Sequence, residues 1–149
     1  MPAHSGSLPR AVLVDIDGTL ALRGDGPRVR AFHHWHRVSE DRPNPAVVEL
    51  VQAISAADRH HIVLLTGRDE VCRPQTAAWL NEHRVPYDEM HMRPRHDGRT
   101  DSVIKRELYE RHVAGRYSVA FVIDDRTRVV RMWRDELGLT VLQCADGDF

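Results

Sequence analysis

The sequence predicts an α/β fold built on a doubly wound parallel sheet of about five strands. Three observations predict it: five short apolar runs, a richness in β-branched residues that leaves three of those runs unbroken, and a helical pattern between each run and the next. Unbroken apolar strands are buried on both faces, and strands alternating with helices connect in parallel.

The elements follow in order. Residues 1–10 read as a flexible leader with Pro, Gly and Ser and no periodicity, ahead of a single domain over 11–149. The strand runs are Ala11–Val14, Ile62–Leu65, Tyr87–Met92, Val119–Ile123 and Thr140–Gln143. Asn44-Pro45 supplies an N-cap and an N1 proline before Val47, Val48, Val51 and Ile54, which share one helical face. Arg73-Pro74 opens a helix through Leu80, Thr100 caps one carrying Ile104, Leu108 and His112, and the last carries Val130, Trp133 and Leu137 on one stripe. Trp133 is therefore a core residue.

Composition narrows the function classes. The chain has 149 residues, 42% hydrophobic and 29% charged, and a net charge of −1, which is globular and argues against sequence-independent coating of nucleic acid. Cys72 and Cys144 form no C-x-x-C pair, so they read as reduced thiols. No apolar run reaches the roughly 18 residues of a membrane span, and no signal peptide opens the chain. The expectation is a soluble cytoplasmic protein without a membrane partner. Of the 21 basic side chains all but Lys105 are arginine.

In such sheets ligands bind beyond the carboxyl ends of the central strands, and three strand ends carry chemistry. The first runs into Asp15-Ile16-Asp17-Gly18-Thr19. Carboxylates at i and i+2 of an extended segment point to the same side and suit a shared divalent cation and a substrate; read as a bare turn, Asp17-Gly18 only closes the strand. The second ends in Thr66-Gly67-Arg68, a hydroxyl, an amide and a guanidinium in succession, donors suited to a phosphate. The fourth ends in Asp124-Asp125-Arg126. Adjacent buried carboxylates resist joint ionisation unless a hard cation joins them, although Asp125 as a helix cap is compatible with the same pattern. Lys105 follows Asp101 by four residues, a surface-pair spacing, but its singularity among arginines points to a task for a compact ammonium.

With those residues in order, the sequence resembles the haloacid dehalogenase (HAD) superfamily of phosphatases, whose pattern is D-x-D-G-T, a Thr or Ser strand end, a lysine and a D-D pair. The stretches Asn44–Leu50, Ile123–Arg134 and Gly147-Asp148-Phe149 further resemble the 3′-phosphatase domains of phage polynucleotide kinase-phosphatases. No G-x-x-x-x-G-K-[ST] is present, so the kinase half is absent from this sequence.

The resemblance implies roles. Asp15 is the nucleophile that forms an aspartyl-phosphate, and Asp17 the acid and then the base. Mg²⁺ is held by Asp15, the main-chain carbonyl of Asp17, and Asp125, with Asp124 bound directly or through water. Thr66 and Lys105 hold the transferring oxygens, Asp101 orients Lys105, and Gly67, Arg68 and Arg126 add phosphate contacts. The space between the first two strands leaves at most a small cap, with one short helix near Val29–Val38. An open site admits a polynucleotide 3′-phosphate.

Two basic segments flank that site. Arg23, Arg28, Arg30 and Arg37 stand against Asp25 with His33, His34 and His36 among them, and Arg93, Arg95 and Arg99 stand against Asp97. They suit the tracking of a nucleic-acid backbone or, equally, solvated loops; Trp35 suits base stacking. His60 and His61, like the other histidines, have no metal-ligand spacing. The partner reading is a phosphorylated nucleic-acid end or nucleotide, with a separate kinase or ligase. The same chemistry also serves small-molecule phosphatases and nucleotidases, and the intact Asp15, Asp17, Lys105 and Asp124/Asp125 set stands against a non-catalytic accessory protein.

Overall fold

A computed structural model describes residues 6–24 and 29–148. The first half of the expected leader, Asp25 and Arg28 of the first basic segment, and Phe149 lie outside them.

The expected sheet is present. Strands β1 (Arg10–Val14), β4 (His61–Asp69), β5 (Glu89–Arg93), β6 (Ser118–Asp124) and β7 (Val141–Gln143) form one sheet in the order β5-β4-β1-β6-β7, all pairs parallel. A two-stranded antiparallel flap, β2 (Ala21–Leu22) with β3 (Arg42–Pro43), and a 3-10 turn at Trp35–Glu40 stand between β1 and the first helix. This is the small cap, and its turn lies later than the helix expected near Val29–Val38. Arg10, expected as the last residue of the leader, belongs to β1, and the carbonyl of Pro9 accepts the amide of Ser118 at 2.9 Å.

Alternation along the strands feeds two cores. Val12 and Val14 of β1 and Ile62 and Leu64 of β4 face α1 (Pro45–Ala57) and α2 (Arg73–Glu82), where Val47, Val48, Val51, Trp79 and Leu80 close over them. Ala11, Leu13, Val63 and Leu65 face the other way. They meet Ile104 and Leu108 of α3 (Asp101–His112), Val129 and Val130 of α4 (Thr127–Arg131), and Trp133 in the π-helical turn that prolongs α4. Both faces are covered, which is why these strands read as unbroken apolar runs. Asn44 and Thr100 occupy the N-cap positions expected of them, without a side-chain hydrogen bond to the helix. Asp125 caps nothing, since the N-cap of α4 is Arg126.

From β1 the chain winds outward one way to β4 and β5, then crosses back to β6 and β7 on the other side. The winding reverses at β1, so its carboxyl end and those of β4 and β6 border the crevice where such folds bind ligands.

Candidate active site

The carboxyl end of β1 delivers Asp15 into a buried cluster of charge. Lys105 enters from the first turns of α3, and its Nζ donates to Asp15 Oδ1 at 2.7 Å and to Asp124 Oδ2 at 2.9 Å. Only 3% of Lys105 is exposed. Burial works against its charge, but Asp124, Asp15 and Asp101 outweigh that and hold the ammonium well above the usual lysine range. The position suits a point charge on a flexible stem.

Asp15, Asp124 and Asp125 are buried and offer carboxylate oxygens within 4.8 Å of one another. One lysine cannot neutralise three acids. Burial, helped by Asp124 and Asp125, pushes Asp15 well above the usual carboxylate range despite Lys105, and burial together with Asp124 pushes Asp125 up as well. The cluster is short of positive charge and rich in hard oxygen donors, which fits a divalent cation such as Mg²⁺.

The two aspartates of β6 have different neighbours. Asp124 Oδ1 accepts the amides of Asp125 at 2.8 Å and Arg126 at 3.3 Å, while Oδ2 takes Lys105 and the indole of Trp133 at 3.3 Å. Both of its oxygens are engaged by the protein. Asp125 Oδ1 lies 3.3 Å from the Thr19 hydroxyl, which is also 3.0 Å from Asp15 Oδ2. Asp125 is also closely packed: a Cβ on Gly18, at φ +84°, would lie 2.1 Å from Asp125 Oδ2, and one on Gly147 would lie 1.9 Å from the Asp125 carbonyl oxygen. Only glycine allows either approach.

Asp17 stands apart from this trio. Its side chain is not among the carboxylates grouped with Asp15, so the metal role the resemblance implies for Asp17 rests on its main-chain carbonyl alone. Asp17 Oδ1 accepts Arg68 Nη2 at 2.8 Å and Nε at 3.1 Å, and Arg30 Nη2 at 3.0 Å. Burial pushes Asp17 up, but Arg68, then Arg30 and Arg23, outweigh it and hold the carboxyl below its usual range. Beneath it Asp41 receives the same two arginines at 2.8 and 2.9 Å and is itself buried.

A bulge explains Arg68. Thr66 pairs with Met92 and Asp69 with Arg93, so Gly67 and Arg68 fall outside the β4–β5 ladder, and such a bulge re-aims side chains. Arg68 is fully buried, bound to Asp17, Asp41 and the Thr76 hydroxyl at 3.0 Å. It is a support for Asp17 and not the phosphate contact expected. Thr66 is also fully buried, its hydroxyl accepting the Arg68 amide at 3.1 Å, and it does not line the cavity. Gly67 does line the cavity, and a Cβ there would lie 2.5 Å from Asp101 Oδ1. Asp101 does not bond Lys105 as expected. Its two oxygens take Arg93 and Arg126, joining β5 to the exit of β6.

Above Asp15 opens a cavity of about 440 Å³, lined by Asp15, Asp17, Lys105, Asp125 and Arg126 on one side and by Phe32, His33 and Trp35 on the cap side. The basic segments contribute less free charge than their sequence suggests. Arg30 and Arg93 are buried and bonded inward, Arg37 pairs with Glu40, and Arg99 pairs with Asp97 and Glu107. Arg23 stacks 3.5 Å from the centroid of the Phe32 ring. Trp133 is buried, as expected of a core residue, and Cys72 is a buried free thiol. Sequence reasoning missed Asp41 and Phe32, which carry no motif, and gave no role to Thr19 although it closes the D-x-D-G-T run. Among the described residues no helix is long and apolar enough to cross a membrane.

Residues 9–149 match the family described as the polynucleotide kinase PNKP phosphatase domain. Over 129 residues, 85% of this chain, the sequence is 36% identical to a protein of Autographa californica nuclear polyhedrosis virus named as a bifunctional polynucleotide kinase/RNA ligase, of which the match covers 18%. A solved Pnkp1/Rnl/Hen1 complex contains a chain that superposes with a TM-score of 0.90 at 36% identity, over 97% of this chain and 48% of that one. A second, of the Pnkp1/Rnl/Hen1 RNA repair complex, superposes at 0.86 and 36% identity over 95% and 44%. The chain thus spans about a fifth of the viral relative and under half of the solved chains.

Proposed function

Because this chain belongs to the polynucleotide kinase PNKP phosphatase domain family and is a phosphatase domain, we propose that it hydrolyses the terminal 3′-phosphate of DNA or RNA through an aspartyl-phosphate on Asp15. One observation carries the reading: Asp15 lies at the floor of a nucleotide-sized cavity with Oδ1 fixed by Lys105 at 2.7 Å and Oδ2 beside the Thr19 hydroxyl at 3.0 Å. A nucleophile so held needs no reorganisation to attack phosphorus.

Mg²⁺ would be held by Asp15, Asp125 and the main-chain carbonyl of Asp17, with Asp124 behind; when bound it neutralises charge on the carboxylates and the phosphate. Lys105 keeps Asp15 oriented and offers its remaining proton to a phosphoryl oxygen, with Gly67 and Arg126 on the same cavity wall. Asp17 is a carboxylate in the free protein, so the proton for the leaving oxygen enters with the substrate. A phosphomonoester monoanion brings it, Asp17 relays it to the departing 3′-oxygen, and the P–O bond to Asp15 forms as the ester bond breaks. Asp17 then takes a proton from water as that water attacks phosphorus and restores the Asp15 carboxylate.

A separate kinase or ligase partner, and a place in nucleic-acid repair, are supported by the Rnl and Hen1 complexes in which the solved relatives occur. The test is a panel of matched oligonucleotides bearing 3′-phosphate, 5′-phosphate or 2′,3′-cyclic ends, beside free nucleotides, with Asp15→Asn as the blank. Release of inorganic phosphate from the 3′-phosphate is expected to lead. Preference for free 5′-nucleotides at low salt would sink the polynucleotide reading in favour of a nucleotidase.

A further inference from the structure

A second cavity of about 290 Å³ adjoins the catalytic one and shares its His33 and Trp35 wall. Its remaining lining is His36 from the 3-10 turn at Trp35–Glu40, Val71 and Cys72 from a second 3-10 turn at Glu70–Cys72, and Gln75 from α2. The proposed chemistry at Asp15 has no use for this space. Three ring side chains and two apolar ones line it, and among the described residues no carboxylate does. Trp35 is anchored rather than loose, since it packs against the core cluster that contains Val38 and Trp79.

A strand whose terminal phosphate reaches Asp15 must carry its next nucleotide out of the catalytic cavity. The wall near α3 is crossed by the Arg93–Asp101–Arg126 links and by the Asp97–Arg99 pair. Asp69, toward the cap side, has both carboxylate oxygens taken by the amides of Val71 and His96. The shared wall is made by the rings of His33 and Trp35 and, among the described residues, carries no acid. Nucleobases stack on such faces whatever their identity, because every base has a π-face.

Resting on the 3′-phosphatase reading, we infer that the second cavity is the subsite for the penultimate nucleotide of a polynucleotide strand, its base lying against Trp35 and His36. The cap is then a reader of strand continuity, and the preferred substrate is a strand end over a free nucleotide. Discrimination between bases is expected to be weak, since the lining has one side-chain amide, Gln75, and otherwise rings and apolar groups.

The experiment compares kcat/KM for a nucleoside 3′-phosphate, a 3′-phosphorylated dinucleotide, and the same dinucleotide lacking its penultimate base. The dinucleotide is expected to exceed the mononucleotide by about tenfold, the order of one stacked base, and the abasic dinucleotide to fall back to the mononucleotide value. In Trp35→Ala the dinucleotide-to-mononucleotide ratio is expected to approach one. Val71→Asp is expected to do the same by placing a carboxylate in the cavity, at a position exposed enough to fold normally. Equal kcat/KM for mononucleotide and dinucleotide in the unaltered protein overturns the subsite while leaving the phosphatase reading intact. A ratio that persists in both variants also overturns it. Absence of turnover on every 3′-phosphate overturns both readings together.

Discussion

Lys105 Nζ lies 2.7 Å from Asp15 Oδ1, across 90 positions of the chain. The contact brings α3 to the end of β1 and gives the lone lysine of the sequence a buried place between two carboxylates. An arginine there would carry the same charge on a larger planar fork, which cannot satisfy Asp15 and Asp124 from one nitrogen. Lys105→Arg is expected to lower kcat/KM by about 100-fold and to cost about 1–3 kcal/mol from overpacking. Steady-state kinetics alongside circular dichroism checks both; normal turnover would remove Lys105 from the mechanism.

Asp125 and Asp124 are expected to separate on substitution. Asp125 has carboxylate oxygens left for a cation, while those of Asp124 already accept two amides, an ammonium and an indole. Asp125→Asn should raise the half-saturating Mg²⁺ concentration more than 100-fold, beyond the roughly 10–100-fold typical of residues behind a ligand. Asp124→Asn should stay within that range but lower the melting temperature further, since it loosens Lys105. Mg²⁺ titration of activity and thermal melts distinguish them, and the reverse order would exchange the two assignments.

Asp41 predicts a stability effect at a site no motif marks. It is buried and receives Arg30 and Arg68 at 2.8 and 2.9 Å beneath Asp17. Removing one partner of a buried ion network leaves uncompensated charge, at about 3–5 kcal/mol. Asp41→Asn is therefore expected to lower Tm by roughly 10 °C and to lower kcat with it, because Arg30 and Arg68 also hold the relaying carboxylate. An unchanged melt would mean that Asp17 alone satisfies both arginines.

The sheet and its order of elements were legible in the sequence from local patterns, and Asp15, Asp124 and Asp125 because each sits where an unbroken apolar strand ends; Lys105, inside α3, was legible as the one lysine among arginines. Arg68 was legible as a strand-end residue but not in its direction, since the bulge at Gly67 and Arg68 depends on the pairing of β4 with β5. Asp101 sits at the right spacing for Lys105, yet its oxygens are taken by Arg93 and Arg126, which approach from other strands. Asp41 lies between Glu40 and Arg42 with no periodicity around it. Side chains placed by local repeats could be read, and those placed by long-range charge pairing could not.

The pH profile tests the origin of the proton. Asp17 is held below its usual range by Arg68 and Arg30, so it is already ionised at pH 5 and cannot titrate near neutrality in the free protein. A lowered carboxyl loses its proton earlier, which makes it a poor reservoir of acid and leaves it ionised, able to accept a proton only as a weaker base than an ordinary carboxylate. The phosphomonoester itself has a second pKa near about 6, and the monoanion below that value carries the proton the leaving oxygen needs. The value of kcat/KM for a 3′-phosphate end is therefore expected to fall with rising pH above about 6, following the substrate and not the enzyme. Replacing the phosphate by a more acidic phosphorothioate should move that limb to lower pH by the difference between the two substrate pKa values. A limb that stays in place with both substrates would assign the proton to a group of the protein and return the acid role to Asp17.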